Sequence, residues 1–220
     1  MAYKLPNDLW FCQVGEHLIF LDVRGDRYFQ LPPPLEREFI SYLQGGQEPD
    51  VTSIAWRGLL RDLPSKQEHV IHSVVRSALE QAPTKCDIRL APLLEISATI
   101  ASVRLQLKVR PLKDVLARMC CIRERRTSLV AASPCGKQAS QFGDAARAFN
   151  RTRLYVPVVP SCLLDSIALT TFLAKHQLHS SVVFGITCNP FSAHSWVQVG
   201  DMVLNDTVGS VNSYTPIGIF

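Results

Sequence analysis

The chain has 220 residues, 47% hydrophobic and 19% charged, with a formal net charge of +4. That balance excludes wholesale disorder and calls for a packed core in one or two domains of ordinary size. No apolar run approaches the roughly 20 residues needed to span a bilayer, and the start MAYKLPNDLWFCQVGEH has no apolar stretch behind a basic one, so a soluble, cytoplasmic protein with no membrane partner is expected.

The N-terminal part carries the first set of elements. Leu9–Val14, His17–Val23 and Arg27–Leu31 read as three short strands, separated by the turn pairs Gly15-Glu16 and Gly25-Asp26. Pro32-Pro33-Pro34 ends the sheet, because proline cannot donate to a ladder. A helix is expected over Leu35–Leu43, stopped by Gly45-Gly46. A second follows a cap at Asp50 or Thr52, with Ile54, Leu59, Leu60 and Leu63 on its apolar side.

Three strands followed by helices, carried by HLIFLDVRGDRYFQL and the helical stretches after it, resemble the RiPP recognition element. This is a small winged-helix module related to the peptide chaperone of pyrroloquinoline quinone biosynthesis. Winged helices often bind DNA, but the charge through Asp87 is −3, against +7 for the remainder, and backbone neutralisation needs cations. No nucleic-acid partner is therefore expected. The resemblance implies that a leader peptide adds to the edge of the third strand and lies against the last helix. Tyr28, Phe29, Gln30 and Leu31, with Trp56, Leu59 and Leu60, would then form the groove. A structural cap with no ligand is the alternative.

Residues 64–88 read as a polar linker enclosing a possible helix over Val70–Gln81. Leu90–Val109 is a long helix with a broad apolar stripe of Leu93, Leu94, Ile96, Ile100, Val103 and Leu107. Pro111–Met119 is a shorter one, and the basic run Arg118 to Arg126 is a solvated helix end and loop. Ser128–Gly136 is a loop and Gln138–Arg151 a further helix.

The chemistry concentrates in the last third. Tyr155–Pro160 is apolar and proline-rich, hence extended. Leu164, Ala168 and Phe172 then recur at helical spacing, with Ser161 as the expected cap and Cys162 in the first turn. A helix N-terminus and a nearby imidazolium both favour a thiolate, the nucleophilic form. The helix ends near His176; Ser181–Ile186 is a buried strand, Thr187–Ala193 a loop, His194–Val199 a second strand and Met202–Leu204 a third, ending in Asn205-Asp206. The order is cysteine on a helix start, histidine at a strand start, aspartate at the end of the neighbouring strand. Papain-like and transglutaminase-like enzymes share it. Pairing His194 with Asp206 needs a three-residue loop, Val199 to Asp201, or an equivalent bulge, since a two-residue turn sends Asp206 to the other face. A strict two-residue hairpin with no bulge would count heavily against Asp206 as the third member. The backbone N–H of Cys162 is the first candidate oxyanion donor.

The motifs Cys162-Leu-Leu-Asp-Ser-Ile-Ala-Leu, Val183-Phe-Gly-Ile, Pro190-Phe-Ser-Ala-His194-Ser-Trp-Val-Gln-Val and Val203-Leu-Asn-Asp206 resemble the maturation protease of lasso-peptide biosynthesis, the B protein. The resemblance implies an α+β chain with a leader-binding element over 1–83 and a transglutaminase-like cysteine peptidase over 84–220. Cys162, His194 and Asp206 would be its catalytic triad. It implies two partners, the leader of a lasso-peptide precursor and a separate ATP-dependent cyclase that closes the ring. Gln198 departs from the acidic residue many relatives carry. A transglutaminase-type acyltransferase and a non-catalytic leader-binding module remain open as alternatives. The seven cysteines, Cys12, Cys86, Cys120, Cys121, Cys135, Cys162 and Cys188, are scattered without C-x-x-C spacing, which fits a reducing compartment. No metal, cofactor or nucleotide site is expected: no ligand spacing matches and there is no P-loop.

Overall fold

The computed structural model describes residues 2–5, 9–43, 67–69, 71–80, 90–127 and 136–220. The chain divides into two compact units, Met1–Ile71 with Pro216–Gly218, and His72–Thr215 with Ile219–Phe220. The architecture is mixed α+β.

In the first unit, β1 (Ala2–Leu5), β2 (Leu9–Val14), β3 (His17–Asp22), β4 (Arg27–Gln30) and β5 (Gln67–His69) form one sheet in the order β4-β3-β2-β1-β5. β2 and β3 are joined by the two residues Gly15-Glu16, with Gly15 at φ 62°. The three expected strands are present to within a residue or so, and β1 and β5 add to them. Helix α1 (Pro33–Leu43) follows, with Pro33 and Pro34 in its first turn, where a missing N–H costs nothing. Leu9, Phe11, Leu18 and Phe20 share one face of the hairpin and pack with Leu31 and Phe39. The rings of Phe11, Phe20 and Phe39 lie 5.4–5.8 Å apart. Glu36 accepts a 2.6 Å hydrogen bond from the Leu18 backbone N–H, tying the helix to β3. Trp10, Cys12, Ile19 and Leu21 on the opposite face are also buried, so these strands read as near-continuous apolar runs. The expected second helix, with Trp56, Leu59 and Leu60, lies outside the described residues.

In the second unit, helices α2 (Leu90–Val109), α3 (Leu112–Thr127), α4 (Gly136–Arg153) and α5 (Cys162–Lys175) precede the strands β7 (Ser181–Cys188), β8 (Phe191–Val199) and β9 (Met202–Val203). A short helix α6 (Val208–Asn212) and β10 (Thr215–Ile219) end the chain. The sheet order is β10-β7-β8-β9-β6, where β6 (Arg76–Ser77) runs parallel to β9. This corrects the expected helix over Val70–Gln81: residues 71–75 are irregular, 76–77 are strand and 78–80 are a turn. Val75 and Ala78 donate backbone N–H groups to Asp201 and Val203, so residues 72–80 belong to the second unit rather than to a linker.

Helix α5 is central. Leu164, Ile167, Ala168, Leu169, Phe172, Leu173 and Ala174 are all buried, because α2, α3 and α4 pack on it along with β7 and β8. Each large apolar side chain so buried stabilises the fold by about 1.5–3 kcal/mol. From α2, Ile96, Ile100 and Val103 are buried and Leu93 and Leu107 half-buried, but Leu94, expected in the stripe, is exposed. α3 runs on past Met119 to Thr127, and Arg123 donates to the Ser180 carbonyl at 3.0 Å, so the basic run is helical rather than loop. β7 and β8 meet at Asn189-Pro190, with Cys188 opposite Phe191, so the expected Thr187–Ala193 loop is a tight hairpin instead.

Candidate active site

The start of α5 is held from outside the helix. Arg153 donates to Asp165 Oδ1 at 2.6 Å and to the carbonyls of Val156 and Val158 at 3.3 and 2.9 Å. One guanidinium thus braces the non-helical segment leading to Ser161 against the first turn it feeds. Ser161 is the N-cap by backbone, with φ −147° and ψ 129°, but its side chain makes no capping bond. The expectation of a serine cap therefore holds for position and fails for the hydroxyl. Cys162 is the first helical residue, a free thiol at the positive end of a 14-residue helix.

Strand β8 comes to that helix edge-on. β9 pairs with β8 at Gln198 and Val199 alone, which among the described residues leaves the edge of residues 195–197 without a strand beside it. Side chains and a bend in the chain satisfy it. The Ser195 carbonyl accepts from Ser166 Oγ at 3.0 Å, and Ser195 also helps lower the pKa of the Cys162 thiol. Val197 donates its N–H to Asn205 Oδ1 at 2.8 Å and accepts from the Leu204 N–H at 2.9 Å. Cys162 and Ser166, one turn apart on one face of α5, thus face the same strand edge.

His194, next to Ser195, bonds Asp206 Oδ2 through Nε2 at 2.5 Å and acts on the Cys162 thiol, whose pKa it lowers. With Nε2 engaged by the carboxylate, Nδ1 is the nitrogen left for the sulfur. Asp206 also accepts from the Thr207 N–H at 2.7 Å and from Ser210 Oγ at 3.2 Å. Its carbonyl takes a 2.6 Å bond from Ser77 Oγ. The structure therefore hydrogen-bonds His194 to Asp206 and sets Cys162 where His194 acts on its thiol.

The route to that contact differs from the expected one. Val199 pairs with Met202 and Gln198 with Val203, so the turn is the strict two-residue Gly200-Asp201, with Gly200 at φ 56°. The three-residue loop is absent. Continued as a ladder, this register would set Asp206 opposite Ser195. The ladder instead stops after Val203, the chain bends at Leu204–Asp206, and the side chain of Asn205 takes the place of a backbone partner for Val197. That bend carries Asp206 to the face of His194.

The charges follow the geometry. His194 is the largest cause pulling the Cys162 thiol down to about 7, with Ser195 adding to it against the opposing effect of burial. Asp206 is the largest cause pushing His194 up to about 10, followed by Cys162, again against burial. Burial pushes Asp206 upward, but bonds from His194, Thr207 and Ser210 outweigh it and hold the carboxyl below its ordinary range. Between about 7 and 10 the pair therefore stands as thiolate and imidazolium.

Aromatic rings set the walls. Trp196 stacks near His194 at 6.1 Å, and the Tyr214 ring lies 5.0 Å from it. Gly185, opposite His194 in the ladder, leaves room for both: a Cβ there would lie 2.6 Å from Trp196 Cζ3 and 3.0 Å from Tyr214 Cβ. Gln198 is buried; its Nε2 donates to the carbonyls of His72 and Gly200, both at 2.7 Å, and its Oε1 accepts from Trp196 Nε1. A carboxylate could not make the two donations, so the amide suits this chain's own surroundings. Asp201 is a turn residue paired with Arg76. Tyr214, Ser166, Asn205 and Ser210 carried no role in the sequence reading. Only the position of Ser166 four residues after Cys162 could have flagged one of them.

Of the groove residues, Tyr28, Phe29 and Gln30 lie on β4, which among the described residues pairs on one side alone, with β3. Phe29 packs on the core and Leu31 is buried in it, so those side chains face inward. Trp56, Leu59 and Leu60 lie outside the described residues. Among those residues no helix is long and apolar enough to cross a membrane.

The profile of the transglutaminase-like superfamily matches residues 94–218. Over 45 residues the chain is 42% identical to the microcin J25-processing protein McjB of Escherichia coli. That stretch covers 20% of this chain and 22% of McjB, so the chain spans about a fifth of that relative's length. No solved structure gives a significant match. The similarity to McjB agrees with the resemblance to lasso-peptide B proteins. Because the profile covers more than half of the sequence, the chain belongs to the transglutaminase-like superfamily.

Proposed function

We propose that this protein is a cysteine peptidase that binds the leader of a lasso-peptide precursor and hydrolyses the bond between leader and core. The observation that carries the reading is His194, hydrogen-bonded to the carboxylate of Asp206 and lowering the pKa of the Cys162 thiol. Superfamily membership and the stretch shared with McjB support it.

In this reading the Cys162 thiolate attacks the scissile carbonyl carbon, forming a C–S bond. The imidazolium of His194 gives its proton to the leaving amine as the C–N bond breaks, which frees the core and leaves the leader as a thioester. Neutral His194 then takes a proton from water. The hydroxide so formed attacks the thioester, the C–S bond breaks, and the leader leaves with a free carboxyl group. Asp206 holds the ring and stabilises its charge throughout. The backbone N–H of Cys162, at the helix start, is the nearest candidate for the oxyanion. The leader would add to the edge of β4 by main-chain bonds, tethering the scissile bond and raising its effective concentration at Cys162. The freed core would pass to a separate ATP-dependent cyclase. The site would work in the cytoplasm.

The test is to incubate the protein with a leader-bearing precursor in 18O-labelled water. Two fragments, with the label in the new leader carboxyl, are expected. An unlabelled adduct to an amine would assign acyl transfer instead, and an intact precursor that still binds would leave a non-catalytic leader-binding module.

A further inference from the structure

Helix α5 buries apolar residues along most of its length, yet at Ser166 it buries a hydroxyl with no exposure to solvent. Any small apolar residue would fill that space. The hydroxyl instead sits in a directed chain. Asn205 Nδ2 donates to Ser166 Oγ at 3.0 Å, which commits the hydroxyl hydrogen to the Ser195 carbonyl, also at 3.0 Å. Asn205 Oδ1 meanwhile accepts from the Val197 N–H at 2.8 Å. The chain thus closes on two alternate backbone groups of β8, along the edge where the pairing with β9 has ended. Ser166 lies one helical turn beyond Cys162, and Ser195 adjoins His194. The three bonds span the gap between the element that carries the sulfur and the element that carries the imidazole.

Resting on the reading of Cys162 as nucleophile, we propose that Ser166 and Asn205 are positioning residues that fix the helix start against strand β8 at the separation the Cys162–His194 pair requires. Neither touches the reacting atoms. Their amide and hydroxyl match the strand edge in donor and acceptor, and buried polar networks hold geometry only when every member is satisfied. A small displacement of nucleophile from base costs up to about 100-fold in rate.

The test reads Cys162 alone among the cysteines, by iodoacetamide alkylation followed at the Cys162 peptide by mass spectrometry as a function of pH, alongside cleavage kinetics and Tm. Ser166→Ala and Asn205→Ala are each expected to move the alkylation midpoint up towards the ordinary thiol value of about 8.5. Each should lower kcat by about 10- to 100-fold. The double variant should be no worse than the more affected single one, because both break one chain. Should one variant fail to fold, the other carries the test. A depressed wild-type midpoint that stays put in the variants while Tm falls would overturn this inference alone. A wild-type midpoint already at the ordinary thiol value would overturn the nucleophile reading and this inference with it.

Discussion

His194 and Asp206 share a 2.5 Å hydrogen bond although no ladder pairs them. The pairing of β8 with β9 ends at Gln198 and Val203, and a bend over the next three residues carries the carboxylate to the imidazole. The acid is therefore held by its own local bonds, from the Thr207 N–H and Ser210 Oγ, rather than by sheet register. Asp206→Asn keeps the size and removes the charge. His194 then loses the largest influence raising its pKa, binds its proton less tightly, and supports the thiolate less. Cleavage is expected to fall by about 10²- to 10⁴-fold, with the Cys162 alkylation midpoint moved upward. Steady-state kinetics with the alkylation profile check both, and an unchanged rate would remove Asp206 from the chain of catalysis.

The pH dependence follows from the two opposed shifts. Cys162 is depressed to about 7, so its charged form is lost as pH falls through that value. His194 is raised to about 10, so its charged form is lost as pH rises through that value. Thiolate and imidazolium coexist between the two, and both are needed to attack and to protonate the leaving amine. A kcat/KM profile against pH should be bell-shaped, with limbs near 7 and 10 that belong to the coupled pair. A single limb near the ordinary thiol value would mean that the imidazole does not act on the sulfur.

Gly185 offers a steric test at the same site. An alanine methyl would meet Trp196 Cζ3 at 2.6 Å and Cη2 at 2.7 Å, and Tyr214 Cβ at 3.0 Å. Trp196 is buried and its indole N–H is already bonded to Gln198, so the ring cannot retreat freely. Gly185→Ala should cost about 1–3 kcal/mol, read as a lowered Tm, and should lower activity because both rings flank His194. Gly209, on the short helix beyond the acid, has nothing within 4 Å of its virtual Cβ. Gly209→Ala is the matched control and should leave Tm within a few degrees or raise it slightly.

These contacts also mark what the sequence could and could not convey. The span Leu90–Val109 was legible because it is a long apolar run without an internal turn signal, in which Ile96, Ile100 and Val103 recur at helical spacing and are buried. Cys162 at a helix start was legible because proline and serine precede a helical apolar pattern, a local signal. β6 was not, because two residues of strand beside Met202 and Val203 owe their state to a distant partner, and their own sequence reads equally well as helix. The route of Asp206 was misjudged for a related reason. Register arguments assume that a ladder continues, and here a side chain, Asn205, ends it by replacing a backbone partner. Ser161 was placed correctly, but a helix start needs only the right backbone angles, and Arg153 and Asp165 hold this one without the hydroxyl.

The most direct measurement is cleavage of a leader-bearing precursor by the wild-type protein and by Cys162→Ala, followed by mass spectrometry, with leader binding measured in parallel by fluorescence anisotropy. The expected result is a loss of cleavage of about 10⁴-fold or more with leader affinity unchanged. Cleavage by the alanine variant at the wild-type rate would contradict the assignment of the chemistry to this sulfur.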